Sequence, residues 1–253
     1  MTEGKAIVEV DNVTCRFGAV TAVEGVSLAI GEGTIFGLVG SDGAGKSTLL
    51  RAMTTMIRPD SGRVAMAGRD TVRERRQVKR LIGYMPQRFG LYQDLTVDEN
   101  LRFFMDIYGI PVRERTARRE RYLGFSNLLP FADRPAGKLS GGMKQKLGLA
   151  CVLVHEPRIL VLDEPTNGVD PVSRREFWEI LLEMKRTGMT IVVSTAYLDE
   201  GERCDRLALM HRARILAEGS PGEIRASSAS LEDAMIRRIE ETEEARDHAG
   251  TRI

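Results

Sequence analysis

The chain has 253 residues, enough for one large or two small domains with a buried core. Its 42% apolar and 29% charged residues are typical of a globular protein, and its net charge of +1 gives no reason to expect binding to nucleic acid. The three widely spaced cysteines, Cys15, Cys151 and Cys204, argue against a disulfide framework or a zinc site and favour a reducing cytosol. No apolar run approaches the roughly 20 residues that span a bilayer, and residues 1–5 carry no apolar signal core. The chain itself is therefore not expected to cross a membrane.

An antiparallel β region is predicted at the start of the chain. Residues 6–13 alternate apolar and polar side chains, as a half-buried strand does. Residues 20–30 indicate further short strands, broken at Gly25 and ended at Gly31. Phe17 precedes them. An aromatic ring of this kind either joins the core or stacks on a nucleotide base, and the residues alone favour the core.

A glycine-rich loop follows the apolar run from Thr34 to Val39 and precedes residues that favour helix, so it lies at a strand-to-helix turn. Successive N–H groups in such a loop converge on a polyphosphate at the start of the helix. Lys46 adds a positive charge for the β- and γ-phosphates, and Ser47 adds a hydroxyl for Mg²⁺. We interpret the loop as a site for ATP or GTP, made by Gly40, Ser41, Asp42, Gly43, Ala44, Gly45, Lys46, Ser47 and Thr48.

Residues from about 88 to 156 are rich in helix formers and lack a strand pattern, which predicts an inserted helical segment. Thr96 and Glu99 form the pattern of a capping box at a helix start. Further along, Ser140, Gly141 and Gly142 precede a helix-like run. Because a helix N-terminus attracts anions, they form a second anion site in principle.

The apolar run from Ile159 to Leu162 ends in two carboxylates, Asp163 and Glu164. Such a run is typical of a buried parallel strand, whose carboxyl end faces the ligand crevice. There Asp163 can hold Mg²⁺, directly or through water, and Glu164 can polarise an attacking water. Acidic pairs are common on surfaces, but this position in a chain with a phosphate loop favours a catalytic role.

Together these segments, through about Ala226, resemble the nucleotide-binding subunits of ABC transporters. The resemblance depends on ordered motifs: the Walker A loop at 40–48, the Q-loop residue Gln87, the signature at 139–145, the Walker B end at Asp163 and Glu164, and the D-loop at 167–170. It implies an α/β fold of the P-loop type, with a central, mostly parallel sheet, an N-terminal antiparallel β subdomain and a helical subdomain at about 88–156.

The resemblance also implies roles for individual residues, with ATP and Mg²⁺ as cofactors. The implied catalytic residues are Glu164, Gln87 and Lys46. The implied metal-holding residues are Ser47, Gln87 and Asp163. The implied nucleotide contacts are the loop residues 40–48, Phe17 against the adenine, and Ser140, Gly141, Gly142 and Asp170.

Members of this family pair head to tail, so that each nucleotide lies between the Walker A loop of one domain and the signature of the other. The implied partners are therefore a second nucleotide-binding domain, either a copy of this chain or a different one, and an integral membrane permease. The chain is then expected in the cytoplasm, held at the inner face of the cell membrane by its permease. The cargo is chosen by the permease, and residues 91–101 resemble exporters more than importers.

Two residues depart from the family pattern. Ala196 occupies the switch position, where the family normally has a histidine, and a methyl group can neither hydrogen-bond the γ-phosphate nor orient Glu164 and its water. Ser41 and Asp42 replace a common Pro-Asn pair, and the carboxylate adds like charge near the phosphates. The hypothesis is a weak site of its own and an intact signature that completes a competent site on a partner. This arrangement resembles the first half of tandem or paired ABC-2 exporters.

Three alternatives stay open. In the first, Ala196 is tolerated and a homodimer works slowly, because another group can position the water. In the second, the chain is a regulatory subunit that binds ATP without hydrolysing it. In the third, the chain is an ABC ATPase that acts in DNA repair or on ribosomes, although the sequence lacks the long coiled coils and zinc-binding cysteines usual in those relatives.

The C-terminal region is predicted to be a closing hairpin at 206–219 and a short helix entered at 220–224. We place the nucleotide-binding domain at 1–226 and a charged helical tail at 227–253. The tail is expected to be a solvated helix that frays before Gly250. A partner-contacting helix is the alternative, because Leu231, Met235, Ile236 and Ile239 could share one helical face.

Overall fold

The computed structural model describes residues 6–250, with side chains as far as Glu243. Residues 1–5, considered above for a signal core, and residues 251–253 of the predicted tail lie outside the described part. The strands are Ala6–Phe17 (β1), Val20–Gly31 (β2), Ile35–Val39 (β3), Ser61–Met66 (β4), Arg69–Asp70 (β5), Ile82–Met85 (β6), Ile159–Asp163 (β7), Thr190–Thr195 (β8), Arg206–His211 (β9) and Arg214–Gly219 (β10). The α-helices are Lys46–Met53 (α1), Arg75–Leu81 (α2), Val97–Ile107 (α3), Val112–Phe125 (α4), Gly141–Leu153 (α5), Pro171–Arg186 (α6), Leu198–Gly201 (α7), Pro221–Arg225 (α8) and Leu231–Gly250 (α9). Within residues 6–250, no helix combines the length and the apolar character needed to cross a membrane.

The chain divides into two compact units, and the first comprises the described residues up to 79 and from 192 onward. This unit holds a four-stranded sheet in the order β2-β1-β4-β5, in which neighbouring strands run antiparallel. The predicted antiparallel region is thus confirmed. The predicted break at Gly25 is wrong, because β2 runs unbroken from Val20 to Gly31. Register shifts in its pairing with β1 absorb the irregularity as bulges, which keep the ladder continuous.

The first unit also contains the strand that leads into the phosphate loop. All five residues of β3 are buried, as the apolar run predicts for a strand covered on both faces. β3 pairs in parallel with β9 and borders β8 on its other side. β9 and β10 pair antiparallel, which confirms the predicted closing hairpin. The loop at 40–45 therefore extends from the carboxyl end of a central strand.

The second unit spans residues 80–191. In it, β6 and β7 pair in parallel, and all five residues of β7 are buried up to Asp163. Helices α3, α4 and α5 lie within the stretch predicted to be helical. The capping box at the start of α3 is confirmed: the Glu99 N–H donates to Thr96 Oγ1 at 3.1 Å, and the Thr96 N–H donates to Glu99 Oε2 at 2.8 Å.

The beginning of α9 is packed against the first unit. Leu231, Ala234 and Met235 are buried in one cluster with residues of β3 and β9. The expectation of a solvated tail is therefore wrong for this part of the helix. Ile236, which we assigned to the apolar face, is 48% exposed. Burial of the α9 face supplies the free energy that holds the helix in place.

We expect Leu231→Ala to lower the free energy of unfolding by about 2–4 kcal/mol, because it removes a large side chain that is 1% exposed. Ile236→Ala on the same helix is the matched control, with an expected change within about 0.5 kcal/mol. Urea unfolding followed by circular dichroism measures both. Equal effects of the two variants would show that α9 is not packed as described.

Candidate functional site

The phosphate loop owes its shape to glycines that have no space for a side chain. A Cβ at Gly45, whose φ is +105°, would lie 2.2 Å from the Ala22 carbonyl oxygen. A Cβ at Gly40 would lie 2.2 Å from the Met210 carbonyl oxygen. From behind, the Ala213 N–H donates to the Ala44 carbonyl at 3.1 Å. The loop is therefore held tightly against backbone from β2 and from the β9–β10 hairpin.

Lys46 opens α1 at the end of the loop and is 3% exposed. Its Nζ donates to the carbonyls of Gly40 and Ser41, at 2.7 and 3.0 Å. The first turn of α1 contains no acidic residue, so no carboxylate in that turn offsets the partial positive charge of the helix N-terminus. A phosphate oxygen at this position would gain charge-assisted hydrogen bonds, which are stronger than bonds to neutral carbonyls.

The residue at position 196 is fixed beside the phosphate loop. The Gly40 N–H donates to the Thr195 carbonyl at 3.2 Å. Thr195 Oγ1 donates to Glu200 Oε2 at 2.6 Å and accepts the Tyr197 N–H at 3.0 Å. Because the backbone is tied on both sides of Ala196, the direction of its Cβ is set. This exposed methyl group carries no polar atom toward its surroundings.

Phe17 and the tip of the loop are open to solvent. Phe17 ends β1 opposite Val20, and 53% of its surface is exposed. The interpretation as a core residue is therefore wrong, and the ring is free to stack on a planar ligand. Ser41 and Asp42 are also exposed, so water screens the charge of the Asp42 carboxylate.

In the second unit, the Glu164 carboxylate is held by two amides. Gln87 Nε2 donates to Glu164 Oε2 at 2.9 Å, and Asn167 Nδ2 donates to the same oxygen at 3.2 Å. Glu164 is 8% exposed and has a φ of +47°, a left-handed conformation that costs about 1–3 kcal/mol in a residue other than glycine. The role of Asn167 was missed in the sequence, where its spacing of three residues from Glu164 was the available signal.

Each residue implied for Mg²⁺ carries an oxygen of the kind that this ion binds. Within the described residues, no group of three or more His, Cys, Asp or Glu side chains could hold a metal. Mg²⁺ at phosphate sites takes only one or two protein oxygens and fills the rest with phosphate and water. Asp163, 1% exposed at the end of β7, and Ser47 in α1 offer such oxygens. Gln87 uses its amide nitrogen on Glu164, which leaves the amide oxygen for a hard cation.

The signature segment begins α5. Ser140 is the N-cap, and its Oγ accepts the Met143 N–H at 3.3 Å. Ser140 and Gly141 are exposed, whereas Gly142 is buried against Ser173 of α6. Asp170 caps α6 by accepting the N–H groups of Val172 and Ser173. The bonds from Ser173 and Val172 lower the pKa of Asp170, so its carboxylate stays ionised at neutral pH. Contact of Asp170 with nucleotide stays a prediction.

The two neighbouring glycines of the signature should respond differently to alanine. A Cβ at Gly142 would lie 2.4 Å from the Ser173 side chain, while a Cβ at Gly141 would meet nothing within 4 Å. We expect Gly142→Ala to lower the melting temperature by several degrees, because overpacking costs about 1–3 kcal/mol. Gly141→Ala should leave the melting temperature unchanged. Differential scanning calorimetry measures both variants, and destabilisation by Gly141→Ala would contradict the open space found at that glycine.

The protein-family model described as ABC transporter matches residues 23–167, more than half of the chain. The chain belongs to the ABC transporter family. The ABC fold predicted above, with its antiparallel N-terminal sheet and its parallel-rich sheet, is confirmed by solved ABC cassettes. One of these, titled a dimeric structure of a post-hydrolysis state of the ATP-binding cassette MJ0796 bound to ADP and Pi, superposes with a TM-score of 0.76 at 27% identity, covering 84% of this chain and 98% of that chain.

Relatives of similar sequence include ABC proteins named for drug transport and drug resistance. The probable multidrug ABC transporter ATP-binding protein YbhF of Escherichia coli (strain K12) is 46% identical over 218 residues, which is 85% of this chain but 38% of YbhF. The daunorubicin resistance ATP-binding protein DrrA3 of Streptomyces coeruleorubidus is 36% identical over 222 residues, covering 87% of this chain and 70% of DrrA3. This chain therefore spans well under half the length of YbhF and over two thirds of DrrA3.

The structure divides the predicted ABC site residues between the two units. Phe17, the loop residues 40–48 and Ala196 lie in the first unit. Gln87, Asp163, Glu164, the signature residues 140–142 and Asp170 lie in the second. Within the second unit the structure brings Gln87 to Glu164, and the signature to the first turn of α6, where Gly142 lies against Ser173.

Proposed function

We propose that this chain is the ATP-binding subunit of an ABC-2 class exporter. ATP drives its head-to-tail pairing with a second ATP-binding domain, and its own site hydrolyses ATP slowly. The names of YbhF and DrrA3, which refer to multidrug transport and drug resistance, support an export function. The permease with which the chain assembles chooses the cargo and holds the chain at the inner face of the cell membrane.

One observation carries the proposal of slow turnover. The hydrogen bond from the Gly40 N–H to the Thr195 carbonyl fixes position 196 at the first residue of the phosphate loop, and that position holds alanine. Most of the other groups that hydrolysis needs are present in the chain. Glu164 has two amide partners, and Lys46 lies at the loop. The deficiency is therefore confined to the group that would position the γ-phosphate and the water.

In the proposed reaction, the loop N–H groups and Lys46 hold the β- and γ-phosphates of ATP. Glu164 takes a proton from water as the water oxygen bonds to the γ-phosphorus and the bond to the ADP oxygen breaks, which yields ADP and phosphate. Ser47, Gln87 and Asp163 would hold Mg²⁺, which when bound would supply positive charge against the phosphate oxygens. Gln87 and Asn167 keep the carboxylate in one orientation.

The proposed pairing uses the exposed start of α5. Ser140 and Gly141 are exposed at the N-terminus of α5, where N–H groups favour an anion. In a head-to-tail pair they would face the γ-phosphate bound to the other domain. Closure is then favoured only while the γ-phosphate is present, and hydrolysis reopens the pair.

Purification of the chain from its native membrane, after mild solubilisation, tests the proposal. We expect a polytopic membrane protein to co-purify in stoichiometric amount. Recovery with ribosomes or DNA instead would contradict it. The second candidate, a regulatory subunit that binds ATP without turnover, is favoured by Ala196 alone. In a regulatory subunit, Ala196→His would not produce hydrolysis, whereas in the exporter subunit proposed first it would raise the rate of hydrolysis.

A further inference from the structure

A cavity of about 450 Å³ in the first unit lies apart from the phosphate loop. It is lined by residues 58–64, which run into the first part of β4, and by Asp70, Val72 and Arg73 at and after the end of β5. It shares no residue with the loop at 40–48. Small-molecule sites in proteins commonly have volumes of this size. Three of the lining residues are arginines: Arg58, Arg63 and Arg73.

The two carboxylates that line the cavity are already engaged. Asp60 Oδ2 accepts the Arg16 N–H at 2.6 Å. Asp70 Oδ1 accepts the N–H groups of Val72 and Arg73, both at 2.9 Å, and its Oδ2 accepts from Arg63 Nε at 3.2 Å. Both carboxylates therefore already have donors of their own, and the three arginines exceed the two aspartates in the lining by one positive charge.

The guanidinium groups, in contrast, have few carboxylate partners. Among the cavity arginines, the ion pair seen within residues 6–243 is that of Arg63 with Asp70, at 3.2 Å. The bond from the Arg73 N–H lowers the pKa of Asp70, and the charges of Arg63 and Arg73 lower it further. Arg63 uses only its Nε on Asp70. A guanidinium presents five N–H donors in a planar fork that matches phosphate oxygens in pairs. Three such groups around one cavity form an anion-binding arrangement.

We propose that this cavity is a second anion-binding site, which takes a ligand bearing a phosphate or diphosphate group through Arg58, Arg63 and Arg73. Most of the lining residues are charged or polar, Ser61 among them, which suits a charged ligand better than an apolar one. The proposal is independent of ATP hydrolysis at the phosphate loop. A soluble phosphate compound and an anionic lipid headgroup share the required chemistry.

Titration calorimetry with inorganic pyrophosphate tests the site in the Lys46→Ala chain, where the phosphate loop does not compete. We expect saturable binding that Arg58→Gln and Arg73→Gln each weaken at least tenfold, in keeping with charge-assisted bonds. Arg76→Gln is the matched control, because Arg76 is an exposed arginine of α2 that does not line the cavity. If Lys46→Ala does not fold, Lys46→Met, which removes the charge and keeps most of the length of the side chain, replaces it. Absence of binding, or equal loss in Arg76→Gln, would overturn the proposal.

Sedimentation with vesicles distinguishes the two sources of the ligand. The vesicles contain phosphatidylcholine alone or equal parts of phosphatidylcholine and phosphatidylglycerol. If only the anionic vesicles carry down the chain, and Arg58→Gln releases it, the ligand is a lipid headgroup. If pyrophosphate binds and the vesicles do not, the ligand is a soluble phosphate compound. Binding of the anionic vesicles that Arg58→Gln and Arg73→Gln leave unchanged counts against the site.

Discussion

Replacing Glu164 with glutamine is expected to lower ATP hydrolysis by at least about a hundredfold, the contribution usual for a general base. Glutamine keeps the size of the side chain and an oxygen that accepts from Gln87 and Asn167, so the left-handed turn at this position should persist. Only the group that takes the proton from water is removed. ATP binding should be unchanged, because the phosphate loop is untouched.

The assay needs a measurable starting rate, so Glu164→Gln is tested both in the unmodified chain and together with Ala196→His. Release of phosphate gives the rate, and equilibrium dialysis gives ATP binding. Glu179→Gln is the control, because Glu179 is an exposed carboxylate on α6 whose ion pair with Arg175 spans 3.8 Å. Retention of more than half of the activity in Glu164→Gln would remove Glu164 from the mechanism.

Replacing Ala196 with histidine is expected to raise hydrolysis at least tenfold, since a single positioned hydrogen-bonding group at a transition state is worth about 10²–10³ in kcat. The gain should be large because the site is prepared for it. Thr195 binds Gly40 on one side of the position and orients Tyr197 on the other, so a ring at 196 starts from a fixed Cβ beside the loop. The fixed backbone therefore reduces the conformational entropy that the ring loses when it takes up its position.

Ala196→Phe separates chemistry from bulk in the same steady-state assay. Phenylalanine places a ring at the same position without nitrogen atoms, and Ala196 is exposed, so the chain should fold in either case. We expect no gain from Ala196→Phe. An equal rise in both variants would mean that the ring acts through packing, and no rise in Ala196→His would favour the non-hydrolysing regulatory role.

The features predicted correctly from the sequence are set by neighbouring residues. The capping box of Thr96 and Glu99 needs only four residues, and the β9–β10 hairpin needs a short turn. The error at Gly25 has a physical cause. A glycine within a strand can either end the strand or form a bulge, and the partner strand decides between the two.

The error in α9 has a geometric cause. Leu231, Met235 and Ile239 follow one another every four residues, so they lie on one side of the helix. Ile236 lies roughly 140° around the helix axis from Leu231 and faces solvent. The surface that covers the apolar face of α9 is formed by β3 and β9. It could not be predicted from local sequence, because β3 lies far from α9 along the chain.

In the candidate site, too, features set by one continuous segment could be predicted, whereas contacts between distant segments could not. The phosphate loop and the acidic end of β7 were visible because each is one continuous motif. Asn167 donates to a Glu164 side chain whose backbone has a left-handed φ, a conformation that the sequence does not reveal. The link between Gly40 and Thr195 joins segments that lie far apart in the chain, so the fixed direction of residue 196 emerged only with the fold.

Binding of ATP at the phosphate loop can be measured by equilibrium dialysis of the purified chain. We expect saturable binding of one ATP per chain and a strong preference for ATP over AMP, because the loop recognises the β- and γ-phosphates. This binding should be lost in Lys46→Ala. Equal binding of AMP, or unchanged ATP binding in a folded Lys46→Ala chain, would contradict the assignment of ATP binding to the phosphate loop.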